Sequence, residues 1–432
     1  MFSLSKISKA SFSVLVNTLP IPNSLKLTNP LKNQIYDTET DILANYYHKQ
    51  CYPHEFEHLS SLKKFTYLTL TKEDVLKIKK ATEQLHKLFH KATQEILKYP
   101  SFHSRFNISK RNWEMIRNDF ERTKHQYYYG RMDLGFNEDF SQIKIFEYNT
   151  GLCGDIYDTT YLQEGAFSHF VENNPFYKDN NVKTIPSGKD LILNLGLRWE
   201  KLLQNCKNKT IYFIYSYGDK EELLVLNCFF RALELRGIKY KLCSDNHCCL
   251  RQSNGMLYDV QTGEKVDLVY KTHPWFNIFS KLKTKNCKCG NFYKFCLNKS
   301  SKIVEPMWKT VMGNKALLPF IYEMNKNNPY LIPSSYNIND PCFGDDEFVM
   351  EKGLVGRGSM MTKVVQRDKI KNTSPNYKVI YQKIFKGNKI KGNYYIMGSW
   401  IVGEKYSGCF IKKSPQLINE YNCSVVPVRI LL

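Results

Sequence analysis

The sequence predicts a mixed fold, α/β in its middle and α+β around it, and three observations carry that expectation. An apolar stripe at helical spacing follows a helix-start signal near residue 71. A β-α-β pattern occupies the centre of the chain. The last third reads as helix followed by mostly antiparallel strands.

Thr71-Lys72-Glu73-Asp74 reads as a capping box. Val75, Ile78, Leu85, Leu88, Phe89, Ala92 and Ile96 then recur on one helical face and predict a long core helix. A second helix is expected over Lys110–Lys124, with Trp113 and Ile116 inward. Two strands follow around Gly130–Leu134 and Lys144–Tyr148, joined by a polar loop. The β-rich run Thr210–Tyr215, a helix from Glu221 to about Arg236 stopped by Gly237, and a strand at Tyr240–Cys243 make the β-α-β unit. Leu268–Lys271 adds a strand to that layer. Beyond Glu305, strands are expected at Phe348–Lys352, Val379–Ile384, Tyr394–Gly403 and Gly408–Lys412, with a tight turn at Lys391-Gly392-Asn393. Residues 37–63 read as an irregular lead-in, and no internal repeat or low-complexity segment is present.

The chain has 432 residues, 42% hydrophobic and 14% aromatic, enough for two or three domains with large cores. No apolar run approaches the ~18 residues of a membrane span. The net charge of +21 invites a nucleic-acid reading. The lysines are scattered, however, and no helix-turn-helix, RNA-recognition or zinc-finger pattern accompanies them, so a nucleic-acid partner is not expected. The charge would still draw ATP and other polyanions. Thirteen cysteines, an odd number, point to reduced thiols in a cytoplasmic setting. Cys243, Cys248, Cys249, Cys287, Cys289 and Cys296 fall in one stretch; their spacings miss the paired zinc pattern and fit free thiols better. Residues 1–36 carry no acid and no arginine, which fits a plain extension better than a transit peptide.

The chemistry begins at Arg131-Met132-Asp133 and Glu147-Tyr148-Asn149. Strand residues two apart share a face, so Arg131 projects with Asp133 and Glu147 with Asn149. Two carboxylates and an amide oxygen are hard ligands suited to magnesium, and Arg131 would face a transferring phosphoryl group. The same residues would equally serve as an ion pair between hairpin strands. Further on stand Gly313-Asn314-Lys315, Lys352 at a strand end, and Gly356-Arg357-Gly358-Ser359, a glycine-rich loop able to cradle phosphates. Ile380-Tyr381-Gln382-Lys383 offers strand backbone to an adenine edge, and Gly398–Gly403 and Lys412 close the series.

Taken in order with Ala81-Thr82-Glu83-Gln84-Leu85-His86, Tyr270-Lys271-Thr272 and Glu305-Pro306-Met307-Trp308, these motifs resemble the synthetase half of the glutathionylspermidine synthetase family, which includes trypanothione synthetase. The resemblance starts near Phe65 and covers about four-fifths of the chain. It implies an ATP-grasp fold in the circularly permuted, glutathione-synthetase-like arrangement with an inserted α/β substrate domain. The expected parts are an extension over residues 1–63, helices and metal hairpin over 64–200, the inserted domain over 201–300, and a nucleotide-binding region over 301–432.

The implied reaction is ATP-driven amide formation between the glycine carboxylate of glutathione and a primary amine of spermidine, through an acyl phosphate. Matched position by position, Asp133, Glu147 and Asn149 are the ligands of magnesium, two ions being expected. Arg131 and Lys412 take catalytic roles. Arg131, Lys315, Lys352, Gly356, Arg357, Gly358, Ser359, Gln382 and Lys383 would hold ATP. Asp219, Glu221 and Glu222 would receive the polyamine, although acids there also favour a helix N-terminus. Thr272 would line the glutathione site. Partners are then small molecules (ATP, a glutathione-like peptide, a polyamine), for a monomer or homodimer. The residues before Phe65 are too few for the family's amidase half.

Four departures from the family's pattern stand out, the first being Gly353 after Lys352 where a proline is customary. Thr150-Gly151-Leu152-Cys153-Gly154-Asp155 replaces a stretch rich in acid and hydroxyl groups. Phe276 follows Trp275 where a glutamate is common. Lys412 stands for an arginine.

Overall fold

The computed structural model describes residues 68–124, 127–164, 184–217, 219–245, 249–281, 295–356, 361–370, 378–390, 392–418 and 423–432. The expected extension over 1–63 and the loop residues Arg357, Gly358 and Ser359 lie outside them.

Strand β1 (Leu68–Leu70) leads into helix α1 (Lys72–Lys98). The capping box closes as expected: Asp74 N–H donates to the Thr71 hydroxyl at 3.1 Å, and Thr71 N–H donates to the Asp74 carboxylate at 2.9 Å. Ile78, Leu85, Phe89, Ala92 and Ile96 form the buried face of α1, and helix α2 (Lys110–Thr123) buries Trp113 and Ile116. The hairpin β2 (Tyr129–Phe136) and β3 (Ile143–Asn149) follows, then β4 (Thr184–Pro186) and α3 (Leu191–Leu203). The sequence reading contained no α3, although Leu191, Leu195, Trp199 and Leu202 keep helical spacing and are buried.

The β-α-β unit is present as β5 (Ile211–Tyr215), α4 (Lys220–Glu234) and β6 (Tyr240–Ser244), with Gly237 at φ +62° past the helix end. A small hairpin, β7 (Leu250–Ser253) and β8 (Met256–Asp259), precedes β9 (Leu268–Lys271), α5 (Trp275–Lys281) and β10 (Lys302–Val304). The last part holds α6 (Lys309–Met312), α7 (Leu317–Met324), β11 (Ser334–Ser335), β12 (Phe348–Gly353), β13 (Thr362–Gln366), β14 (Val379–Lys383), β15 (Lys389–Ile390), β16 (Asn393–Val402), β17 (Lys405–Ser414), β18 (Ser424–Val426) and β19 (Val428–Leu431).

Three sheets matter for the site. The first is parallel, in the order β10-β9-β5-β6. Its strands are continuous apolar runs because both faces are covered: Tyr212, Ile214, Val269 and Ile303 enter one core, while Phe213, Leu268, Tyr270 and Val304 enter the other. The second runs β11-β14-β12-β13 and the third β18-β17-β16-β2-β3, both antiparallel. The third sheet thus joins the early hairpin to strands from the end of the chain. Helix α1 packs under it, where Thr82 and Ser399 exchange a buried hydroxyl hydrogen bond at 2.6 Å.

No helix among the described residues is long and apolar enough to cross a membrane. Cys243 and Cys249 are joined as a disulfide with Cα atoms 5.9 Å apart, which corrects the expectation of reduced thiols at that pair. Among the described residues no cluster of three or more metal-ligating side chains surrounds them, and Cys248, Cys287 and Cys289 lie outside those residues.

Candidate active site

Alternation along β2 sends Met132, Leu134 and Phe136 into the core over α1 and turns Arg131 and Asp133 to the other face. On β3 the register pairs Asn149 with Arg131 and Glu147 with Asp133, then slips, so that Leu134 faces Ile145 and Phe146 is the extra residue. The bulge ends the regular alternation just where the acidic pair begins.

The four polar side chains converge. Arg131 grips Asp133 with Nε at 2.8 Å and Nη2 at 3.1 Å. The Asn149 amide donates to Asp133 at 3.1 Å and to Glu147 at 3.4 Å. Arg131 and Asp133 pair along one strand, β2; among the described residues no ion pair joins the two hairpin strands, and the Glu147 carboxylate is left to other partners. Lys315 Nζ lies 2.9 Å from Glu147, held there because its backbone N–H donates to the Leu354 carbonyl. Arg131 also reaches the Gly154 carbonyl at 3.0 Å and the Asp155 carboxylate, and Lys412 Nζ meets Asp155 at 2.7 Å. Asp155 was not foreseen. It sits at φ +70°, a conformation Asp tolerates better than most residues, and it couples the two cations named in the sequence.

Electrostatics separate the two acids of the hairpin. Burial and the neighbouring Glu147 charge raise the Asp133 carboxyl despite Arg131. Burial would also raise Glu147, but Lys315 and Lys352 outweigh it and hold that carboxyl low. Two carboxylates bridged by one side-chain amide are a hard-oxygen donor set. They fit a magnesium ion that keeps coordination positions for phosphate oxygens and water. A cation there would favour the flipped Asn149 amide, oxygen inward.

Glu147 stands in the walls of two cavities. One, of about 110 Å³, lies between the second and third sheets and is lined by Asp133, Phe146, Lys352, Gln382, Lys383 and Phe385 among others. Lys352 Nζ donates to the Phe146 carbonyl at 3.0 Å and to Gln382 Oε1 at 2.7 Å; burial brings its pKa down to about 8. Lys383 is half-exposed and pairs with Asp346 at 2.9 Å. The expectation that the Ile380–Lys383 backbone meets an adenine edge fails at Tyr381–Lys383. Strand β14 is an inner strand there, paired to both β11 and β12, and Ile384-Phe385 are the next cavity-lining residues beyond the ladder.

The other cavity, of about 120 Å³, is lined by Asn149, Lys271, Thr272, Trp275, Lys315 and Gly356 among others. Thr272 and Gly356 are therefore brought to the site. Asp219 and Glu222 are not among its lining residues. Asp219 caps α4, accepting from the Glu222 N–H at 3.0 Å. The Glu222 carboxylate is buried and accepts from Ser216 N–H at 2.8 Å and the Thr272 hydroxyl at 2.5 Å. The helix-terminus alternative describes Asp219, and Glu222 ties α4 to the end of β9. The Glu221 side chain lies outside the described residues.

Three further residues of this cavity carried no expected role. Glu305 and Lys309 form a buried pair at 2.8 Å, with the Glu305 carboxylate also accepting the Tyr128 and Tyr129 backbone N–H groups. Lys271 is buried in the wall. Lys271 and Glu305 stand in motifs that carry the family resemblance, but no role came with them, and Lys309 showed only a charge near an apolar run.

Comparison with known proteins gives this geometry a lineage. The chain is 26% identical over 365 residues to trypanothione synthetase of Crithidia fasciculata, covering 80% of this chain and 54% of that protein. It is 24% identical over 383 residues to the bifunctional glutathionylspermidine synthetase/amidase of Escherichia coli (strain K12), covering 84% and 59%. The chain thus spans between half and two-thirds of the length of these relatives. A putative acid–amine ligase of Haemophilus influenzae is 22% identical over 370 residues, covering 83% and 88%. Among solved structures, a glutathione synthetase-like effector of Globodera pallida matches with TM-score 0.57 and 12% identity over 85% of this chain and 91% of that one, a likeness of fold. The family model described as glutathionylspermidine synthase preATP-grasp matches residues 45–431, nearly the whole described structure, and the chain belongs to that family.

Proposed function

We propose that this chain is an ATP-dependent C–N ligase that joins the glycine carboxylate of glutathione to a primary amine of spermidine. The carrying observation is the position of Glu147, with Asp133 and Asn149, at the wall between two cavities. The cavity with Lys352 and Gln382 takes the nucleotide, and the cavity with Thr272 and Lys315 takes the acid. A carboxylate oxygen of the acid attacks the γ-phosphorus and ADP leaves. The amine nitrogen then attacks the acyl carbon, phosphate leaves, and the amine loses a proton. Arg131 and Lys412 hold charge developing on the transferring phosphoryl group. Asp133, Glu147 and Asn149 would hold magnesium, which would supply charge neutralisation on the phosphate oxygens.

Phosphate release with ATP, Mg²⁺, glutathione and spermidine should require both substrates. Asp133→Ala and Glu147→Ala should each lower turnover at least about 100-fold with the fold intact by circular dichroism. Near-normal turnover in either variant would sink the metal assignment.

A second reading keeps the chemistry and changes the substrates. It is favoured by Asp219 and Glu222 being spent inside the fold and by Phe276 in the acid cavity. A screen of acids and amines by ATP turnover separates the two readings: turnover with another pair, and none with glutathione and spermidine, selects the second.

A further inference from the structure

The acid cavity does not end at Trp275. A second cavity of about 280 Å³ lies beside it, lined by Phe106, Ile108, Phe279 and Leu354 among others. Phe276, Thr310 and Val355 belong to both walls. Phe276 and Val355 are 39% and 37% exposed, so the shared wall leaves apolar surface uncovered.

Charge is distributed unevenly over this double cavity. The described lining of the first part has three lysines, Lys271, Lys309 and Lys315, against two glutamates, Glu147 and Glu305. Glu305 pairs with Lys309 at 2.8 Å and Glu147 with Lys315 at 2.9 Å. Lys271 remains. It is 4% exposed, donates to the His273 carbonyl at 3.0 Å and lies 4.4 Å from the centre of the Trp275 ring. Among the described residues no carboxylate forms an ion pair with it. Glu305 and Asp119 act on its charge without a direct ion pair, and its direct contacts are a carbonyl and a ring, so an anionic ligand would complete it. The described lining of the second part carries no charged residue. An ammonium group on the ligand would therefore find no uncommitted carboxylate in either part.

The geometry points to the class of acid this site takes: a carboxylic acid held by Lys271 whose far end is an uncharged apolar group, aryl or branched alkyl, seated past Phe276 in the second cavity. This rests on the ligase reading of the same site and narrows its second form. Lys271 is a binding residue, and Phe276 sets specificity.

The test titrates the full-length protein, without nucleotide, with N-benzoylglycylglycine and with glycylglycylglycine, by calorimetry. The benzoyl peptide should bind at least about tenfold more tightly, the scale on which apolar pockets discriminate. Phe276→Ser should bring the ratio of the two affinities close to one, and Phe276→Glu should reverse the preference. Lys271→Met should weaken both peptides, with recovery in Lys271→Arg; thermal melting checks that the Lys271 variants fold. Equal affinity for the two peptides, or tighter triglycine binding, overturns the proposal, as does a Phe276→Glu preference that matches wild type. Phosphate release from ATP, with hydroxylamine as the amine, is read alongside. A benzoyl preference in binding with no turnover for either acid keeps the class of acid and removes the ligase reading.

Discussion

His86 is buried beneath β3 and braces it from α1. Its ring nitrogens contact the Tyr148 hydroxyl at 2.8 Å and the Tyr127 hydroxyl at 3.2 Å. Tyr148 lies between Glu147 and Asn149, so His86 is a positioning residue for both. Burial, aided by the Lys309 charge, depresses its pKa to about 3. Between pH 6.5 and 3 the unfolded chain binds this proton and the folded chain does not, so its contribution to stability is full above pH 6.5 and is lost as pH falls. Denaturant unfolding should show a loss of about 2 kcal/mol between pH 6.5 and 5 from this group, and His86→Gln should flatten that part of the profile. At this scale the sequence was legible where residue type and spacing act together. Asp133, Glu147 and Asn149 are hard-oxygen groups two apart on strands, and they converge. Lys271 was illegible as a site because nothing local distinguishes a buried lysine from a solvated one; only the cavity around it does.

At the scale of elements, the hairpin and the strands facing it leave little room. A Cβ on Gly398, the partner of Asp133 across the ladder, would sit 2.0 Å from the buried Phe410 ring. Gly398→Ala should therefore cost about 1–3 kcal/mol in urea unfolding, the scale of overpacking. At the exposed end of α1 the capping box is independent of the site, so Thr71→Ala should cost about 1 kcal/mol with turnover unchanged. Strand positions were readable from β-rich runs, and α1 from its stripe and cap. The bulge at Phe146 was not readable, because it depends on a partner strand rather than on its own residues. Nor was the inner position of β14, which closes most of its backbone to an adenine ring.

At the scale of the molecule, the cavity proposed for the nucleotide lies between the second sheet and the β2–β3 hairpin of the third, strands far apart in sequence. A ligand that bridges them stabilises the whole fold by mass action. ATP with Mg²⁺ at 100 times its Kd should add about 2.7 kcal/mol to unfolding stability, and Lys352→Met should remove most of that gain. Sheet assembly was the least legible level. Local pattern predicts that β2 and β16 are strands, but their pairing is settled by packing on α1 and by the common core. The bulge has one last consequence. Phe146 offers its carbonyl to Lys352, so a buried lysine of one sheet is anchored on the other. A chain in which the two sheets have not yet docked holds Lys352 only through Gln382 of its own sheet and has no closed cleft. On the proposed ligase reading, such a chain would not turn over ATP.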